Sequence, residues 1–330
     1  MVDIILIIMI VTSVLLSFAI GTNDETFAPV VGVKRLPVKT AVILGAIVAI
    51  IGAFLFTPKI SNTLNNHIST IQLSSDNLLI FAVLTSMAIS LILASVFGLP
   101  ISSTEAMVGS ILALSLVHGE SIHWGWDGMG KVFLTWVISP VLGFFGSFIL
   151  MKLVRKILRK SVRGLSNLET SNAITGSFLL LMVVITGLSR AGNDISNAIA
   201  PIYPLFQDST KSIFYQSLPL LIGSIGLGVG LMTIGWRVLK KLGNDVVELT
   251  PESAFVTQAS AALITLVAVS LGIPVSGTMI LVSSFIGAGY GDKKPINLKS
   301  VRHIVLFVFL TPIISGLCAI AFYYIFQGVF

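Results

Sequence analysis

The sequence predicts an all-α integral membrane protein, built as two inverted-topology repeats of about five apolar segments each, with helical hairpins at Pro-Ser motifs. Three observations carry this reading. Of 330 residues, 55% are hydrophobic and only 10% are charged, whereas soluble domains carry about 25% charged residues. Ten apolar stretches follow one another along the chain. Two different polar motifs each occur twice, in the same order and at nearly equal spacing.

The apolar stretches cover approximately 3–20, 40–56, 78–97, 104–117, 132–151, 172–189, 213–236, 253–271, 277–290 and 303–326. A helical span needs about 20 apolar residues, so most of these qualify. The first, with Asp3 in place of a basic leader, reads as a retained span rather than a secretory signal. The stretches 104–117 and 277–290 are short, and each follows a longer one after a break containing Pro and Ser. That pattern suits a hairpin whose tip is buried in protein, because irregular backbone cannot face lipid.

The formal charge is +6, but the basic residues sit between apolar runs rather than on one face, which argues against nucleic acid as a partner. Sixteen of the twenty Lys and Arg fall in 33–39, 152–163, 237–241 and 291–302. Alternating sides from an outside N-terminus places all four stretches in the cytoplasm, as positive-inside bias expects, and both termini outside. The expected location is the plasma membrane. Trp124, Trp126, Trp136 and Trp236 lie in loops or near segment ends, where interfacial aromatics are favoured. Cys318 is the only cysteine, and His67, His118, His123 and His303 have no ligand spacing, so neither a disulfide nor a resident metal is expected.

The duplication locates the site. GTNDETFAPVVG at 21–32 is echoed by AGNDISNAIAPI at 191–202, and FGLPISSTEAMVGS at 97–110 by LGIPVSGTMILVSS at 271–284. Asp24 precedes Pro100 by 76 residues, and Asp194 precedes Pro274 by 80. The repeats divide the chain into 1–164, with a basic linker at 152–164, and 165–330. Five segments per half is an odd number, so the second half enters from the opposite face, the arrangement of secondary transporters with midplane sites.

Asp24, Glu25, Glu105 and Asp194 lie in or beside apolar segments. One ionised carboxylate at the centre of a span costs roughly 2.5–3.5 kcal/mol, so these four are expected to share a polar cavity. The tips PISST and PVSGT bring hydroxyls and free N–H groups to the starts of the short helices. Ser102, Ser103, Thr104, Ser276 and Thr278 therefore either cap those helices or grip a tetrahedral oxyanion at two converging positive helix ends. With Arg190 protonated, the four carboxylates leave a negative sum, so a dianion would need accompanying cations or protons. Asn and Asp side chains suit a hard cation, and cation-coupled anion symport is the economical reading. The Gly-rich run GSIGLGVG at 223–230 reads as a close helix-packing surface. An intramembrane enzyme using Asp24 and Asp194 as an acid–base pair, or a channel, explains less of the pattern.

These four ordered motifs, together with GNDVVELTPESAFVTQASA at 243–261, resemble the inorganic phosphate transporter (PiT) family over essentially the whole chain. The resemblance implies a phosphate importer coupled to sodium (or protons), working by alternating access in the bilayer as a homodimer, with no cofactor beyond co-transported sodium and no enzymatic activity. A sulfate or other oxyanion carrier of the same fold is the alternative. The resemblance implies cation sites at Asn23, Asp24, Asn193 and Asp194, and phosphate contacts at Ser102, Ser103, Thr104, Ser276 and Thr278; Thr22 is a further candidate for the cation, and Gly277, Asn197 and Arg190, the last as an anion-binding fork, for the phosphate. Glu25, Glu105 and Gln258 take coupling or gating roles. The chain departs from the family pattern at Glu105 and Met279, where a histidine follows each tip, at Phe27, where the second copy keeps Asn197, at Ala49 and Gln258, where many members carry glutamates, and at Arg190, where a histidine is common.

Overall fold

A computed structural model describes residues 4–66, 76–125, 128–161, 165–245 and 248–329. Trp126, His67 and Arg163 lie outside the described residues. The first half comprises α1 (Ile4–Thr22), a short α2 (Ala28–Gly32), α3 (Val38–Asn66), the α4–α5 pair (Asn77–Val96 and Ser103–Val117) and α6 (Met129–Ser161). The second comprises α7 (Leu165–Ile199), α8 (Ile213–Gly230), α9 (Trp236–Asp245), the α10–α11 pair (Pro251–Ser270 and Gly277–Asp292) and α12 (Leu298–Val329). A π-helical turn, Leu231–Gly235, joins α8 to α9, so the apolar stretch 213–236 lies on one continuous helix with a π turn near its end.

Each of the ten apolar stretches lies on a helix. Among the described residues, seven helices are long and apolar enough to cross a membrane. Among those that are not, α5 has 15 residues and α11 has 16, roughly 22–24 Å by helical rise against a hydrocarbon core of about 30 Å. The chain is a multi-pass membrane protein in which these two helices begin at buried hairpin turns.

The hairpin turns are built alike. Gly98 and Gly272 adopt φ of 63° and 67°, a left-handed conformation that a Cβ penalises. Behind them Leu99 donates to the Ala94 carbonyl and Ile273 to the Ala268 carbonyl, both at 2.9 Å, closing the ends of α4 and α10. Pro100 and Pro274 follow, and Ser102 and Ser276 then accept from the Glu105 and Met279 amides to start α5 and α11. The capping reading of these two serines is what the geometry shows.

Packing between the halves is reciprocal. Hairpin α4–α5 lies on α12, the last helix of the other half, while α10–α11 lies on α6. Helix α1 packs on α4 and α8, and α7 packs on α10 and α3. An ion pair, Arg155 Nε to Asp292 Oδ1 at 2.6 Å, adds a tie between α6 and the end of α11.

The glycine run at 223–230 does form a packing surface, as its composition suggests. A Cβ on Gly226 would stand 2.8 Å from the Ser17 side chain, and one on Gly230 would run into the Phe18 carbonyl. Small residues bring the backbones of α1 and α8 together where no hydrophobic force separates protein from lipid. Gly226→Leu and Gly230→Leu should therefore each destabilise the fold by about 1–3 kcal/mol, the usual cost of overpacking. Gly328→Ala, with open space around it, should be neutral. Thermal unfolding in detergent checks the difference.

Candidate functional site

Helix α1 stops at Thr22, and the next residues leave the helix. Asp24 Oδ1 accepts from the Thr26 amide at 2.9 Å and the Thr26 hydroxyl at 2.6 Å, an Asx-type turn that competes with helical bonding. Pro29, in the first turn of α2, then restarts the helix. The second copy behaves differently. Helix α7 runs unbroken through Asn193 and Asp194 to Ile199, because Asp194 spends its Oδ1 on the Ser103 hydroxyl, 3.0 Å away, rather than on its own backbone.

The two asparagines do the same work in each half. Asn23 Oδ1 accepts from the Ile101 amide at 2.8 Å, and its Nδ2 donates to the Leu99 carbonyl and Ser95 hydroxyl at 2.9 Å. Asn193 Oδ1 accepts from the Val275 amide at 3.2 Å, and its Nδ2 donates to the Val275 carbonyl at 3.2 Å. Ile101 and Val275 are equivalent positions in the repeated motif. Each asparagine thus fastens its own half's hairpin tip and satisfies backbone groups that lipid cannot. Thr22, 2.9 Å from the Ser95 hydroxyl, supports the first of these clamps.

Across the repeat boundary the tips lock to each other. Thr104 donates to the Val275 carbonyl at 3.0 Å, and Thr278 approaches the Ile101 carbonyl at 3.4 Å. These are again equivalent residues, exchanged between halves. Asn197 buttresses the first tip, donating to Ser103 at 3.0 Å and Thr104 at 3.2 Å.

The charged groups are arranged around this lock. Arg190 Nη1 donates to Glu25 Oε1 at 2.6 Å, and its Nη2 lies 3.7 Å from Asp194 Oδ2. Thr278 also donates to Glu25 Oε1, at 2.8 Å. Gly277 makes this possible: a Cβ there would sit 2.6 Å from the guanidinium carbon. The first repeat has Ser103 at the equivalent position and uses it to hold Asp194. Arg190 is thus an internal counter-ion, paired with two of the four carboxylates.

A cavity of about 10 Å³, room for roughly a single water, lies at the centre. Asn23, Asp24, Ser102, Ser103, Arg190, Asp194, Gly277 and Thr278 line it, with Ile20, Leu91 and Ile101 as its apolar wall. The start of α5 and the start of α11 face the same space. Thr22, Glu25, Thr104, Glu105, Asn193, Asn197, Gln258 and Ser276 stand behind this lining as support. Gln258 donates to the Thr26 carbonyl at 3.3 Å, tying α10 to the break after α1. Glu25 Oε2, Glu105 Oε2, Arg190 Nε, Asn197 Oδ1 and Gln258 Oε1 are buried without a hydrogen-bond partner. Of these, only Arg190 lines the cavity itself; the others lie in the supporting layer behind it, where a buried polar atom without a partner calls for an explanation. Among the described residues no cluster of three His, Cys, Asp or Glu has metal-holding geometry.

Sequence reasoning did not find Ser95, Leu99 or Thr26, whose roles are set by bonds formed only in the fold. The sequence profile of the phosphate transporter family matches residues 23–319. The chain belongs to the phosphate transporter family. Candidate phosphate permeases of Pyrococcus horikoshii and Thermococcus kodakarensis are similar to it, at 26% and 27% identity. The matches cover 92% and 94% of this chain and 93% and 95% of theirs. The chloroplastic inorganic phosphate transporter 2-1 of Arabidopsis thaliana is 25% identical over 95% of this chain and 71% of its own. A solved structure described as the sodium-dependent phosphate transporter shares the fold, with a TM-score of 0.86 at 21% identity, covering 99% of this chain and 100% of that one. As a member of this family the chain is a transporter.

Breaking one side of a buried ion pair costs about 3–5 kcal/mol. Arg190→Gln should therefore lower stability by that order, and adding Glu25→Gln should restore part of it. A double-mutant cycle read by thermal unfolding measures the coupling. Gly277→Ser should push the guanidinium off Glu25 and reproduce much of the Arg190→Gln defect.

Proposed function

We propose that the chain imports inorganic phosphate by symport with sodium, through alternating access at the central cavity. The observation that carries this is the meeting of two capped helix starts, α5 and α11, on one space lined by Asp24, Asp194 and Arg190. Helix starts present free N–H groups and a partial positive charge to an anion. Ser103 and Thr278 bring hydroxyls that turn from Asp194 and Glu25 to the cargo when it enters, and the Arg190 Nε adds a donor not spent on Glu25. Asp24 and Asp194 face the same cavity and supply carboxylate oxygen for a cation that offsets the cargo's charge.

The charge count supports a coupled mechanism. Arg190 already serves Glu25 and Asp194, so it cannot by itself neutralise an incoming dianion. A cation bound with the phosphate removes the repulsion between cargo and carboxylates. Asn23 and Asn193 are hairpin clamps on this reading, and they position the cation site rather than giving it their side chains.

The cavity is too small for phosphate as it stands, and so the tips must part. The tip-to-tip bonds Thr104 to Val275 and Thr278 to Ile101 open, and the contacts of Thr104 with Asn193, of Ser103 with Asp194 and of Thr278 with Glu25, which also cross the halves, rearrange with them. The clamps within each half can persist, letting each hairpin move as a unit. The reciprocal packing of α4–α5 on α12 and α10–α11 on α6 supports two inverted halves, 1–164 and 165–330. Plasma-membrane residence, termini outside and a homodimeric assembly belong to the same proposal.

Purified protein in proteoliposomes should take up labelled phosphate when an inward sodium gradient is imposed, and excess sulfate should compete poorly. Asp24→Asn and Asp194→Asn should each reduce uptake at least about tenfold, equivalent to a loss of about 1.4 kcal/mol, while unfolding temperature is kept. Uptake that ignores the sodium gradient, or that survives both substitutions, overturns the proposal.

A further inference from the structure

A second, larger cavity lies on the flank of the first hairpin. It holds about 620 Å³ and is walled by α4, the 97–101 turn and α12, with Leu93, Phe97, Phe307 and Ile314 among its mostly apolar lining. Leu93 and Phe97 are largely exposed. On α12 the lining runs from His303 to Cys318, roughly 22 Å by helical rise. That exceeds the ~15 Å depth of one leaflet's hydrocarbon.

One end of the groove is polar. Lys241 and His303 line both this groove and a smaller cavity of about 60 Å³ beside it, which adds Ser300. The Lys241 ammonium donates to the Phe97 carbonyl at 2.9 Å. Among the described residues no carboxylate lies within ion-pair distance of Lys241 or His303. Arg237, Lys299 and Arg302 flank the same end in sequence, within two of the basic stretches that positive-inside bias assigns to the cytoplasmic face.

We infer that this groove binds an anionic phospholipid of the cytoplasmic leaflet, with its headgroup phosphate at Lys241, His303 and Ser300 and one acyl chain along α4 and α12. Charge complementarity selects the occupant: a cationic mouth without acidic partners, followed by an apolar trough of leaflet length. Basic pockets between spans on the cytoplasmic side recognise headgroups in this way. Ile101 lines both this groove and the central cavity. The acyl chain therefore lies against the hairpin tip that Asn23 holds, and a filled groove restrains its movement.

Full-length protein in detergent should retain added phosphatidylglycerol by native mass spectrometry and unfold a few degrees higher with it. Phosphatidylcholine of the same chain length, and inorganic phosphate alone, should do neither. Lys241→Gln with His303→Gln should weaken phosphatidylglycerol retention by about fivefold or more, the scale of one lost positive charge near a headgroup. The unfolding temperature without lipid should stay unchanged, which separates loss of the site from misfolding. Equal retention of phosphatidylcholine, indifference of the variant, or stabilisation by free phosphate overturns the inference. So does efficient Cys318-to-Cys318 crosslinking between copies in a bilayer, since a second chain would then fill the groove. None of these readouts uses transport, so this inference stands or falls separately from the phosphate symport reading.

Discussion

Broken backbone at membrane depth is tolerated only where protein supplies the hydrogen bonds that lipid cannot, and the rest of the structure depends on how that demand is met. Two asparagine side chains meet it, one per half, each holding the amide two residues before a helix start. With the tips fixed, the starts of α5 and α11 face one point. Without them, the serines, threonines and carboxylates of the repeated motifs would have no common geometry.

Charge follows from that geometry. Burying carboxylates beside an apolar bundle is costly unless each is paired or takes up a counter-ion. Arg190 offsets part of the burden through Glu25 and Asp194. The remainder includes buried oxygens without a partner on Glu25 and Glu105, behind the cavity wall. A fully paired cluster would be more stable and would have nothing left with which to receive an ion.

Much of this was legible in the sequence, for a definable reason. Duplication writes the same demand twice, so Asn23 with Asn193, and Pro100 with Pro274, stood out against an apolar background. The ten segments and the two short helices followed from length and hydropathy, and the packing role of the glycine run from its setting in an apolar span. What stayed hidden depended on partners distant in sequence. Nothing local marks Glu25 as the mate of Arg190, 165 positions away, or Gly277 as the space its guanidinium occupies. The unbroken course of α7 was hidden too, since Asp194 turns to Ser103 instead of its own backbone. The π-helical turn at Leu231–Gly235 leaves no trace in hydropathy.

The exchange of Ser103 for Gly277 has a consequence for the resting state. Were the halves identical, swapping their roles would interconvert inward-open and outward-open forms of equal energy on the proposed mechanism. Here one half anchors an aspartate with a hydroxyl while the other yields its place to a guanidinium, and Glu105 stands where the other half has Met279. On that mechanism the sequence difference would lift the degeneracy and give the empty carrier a built-in preference for one side of the membrane.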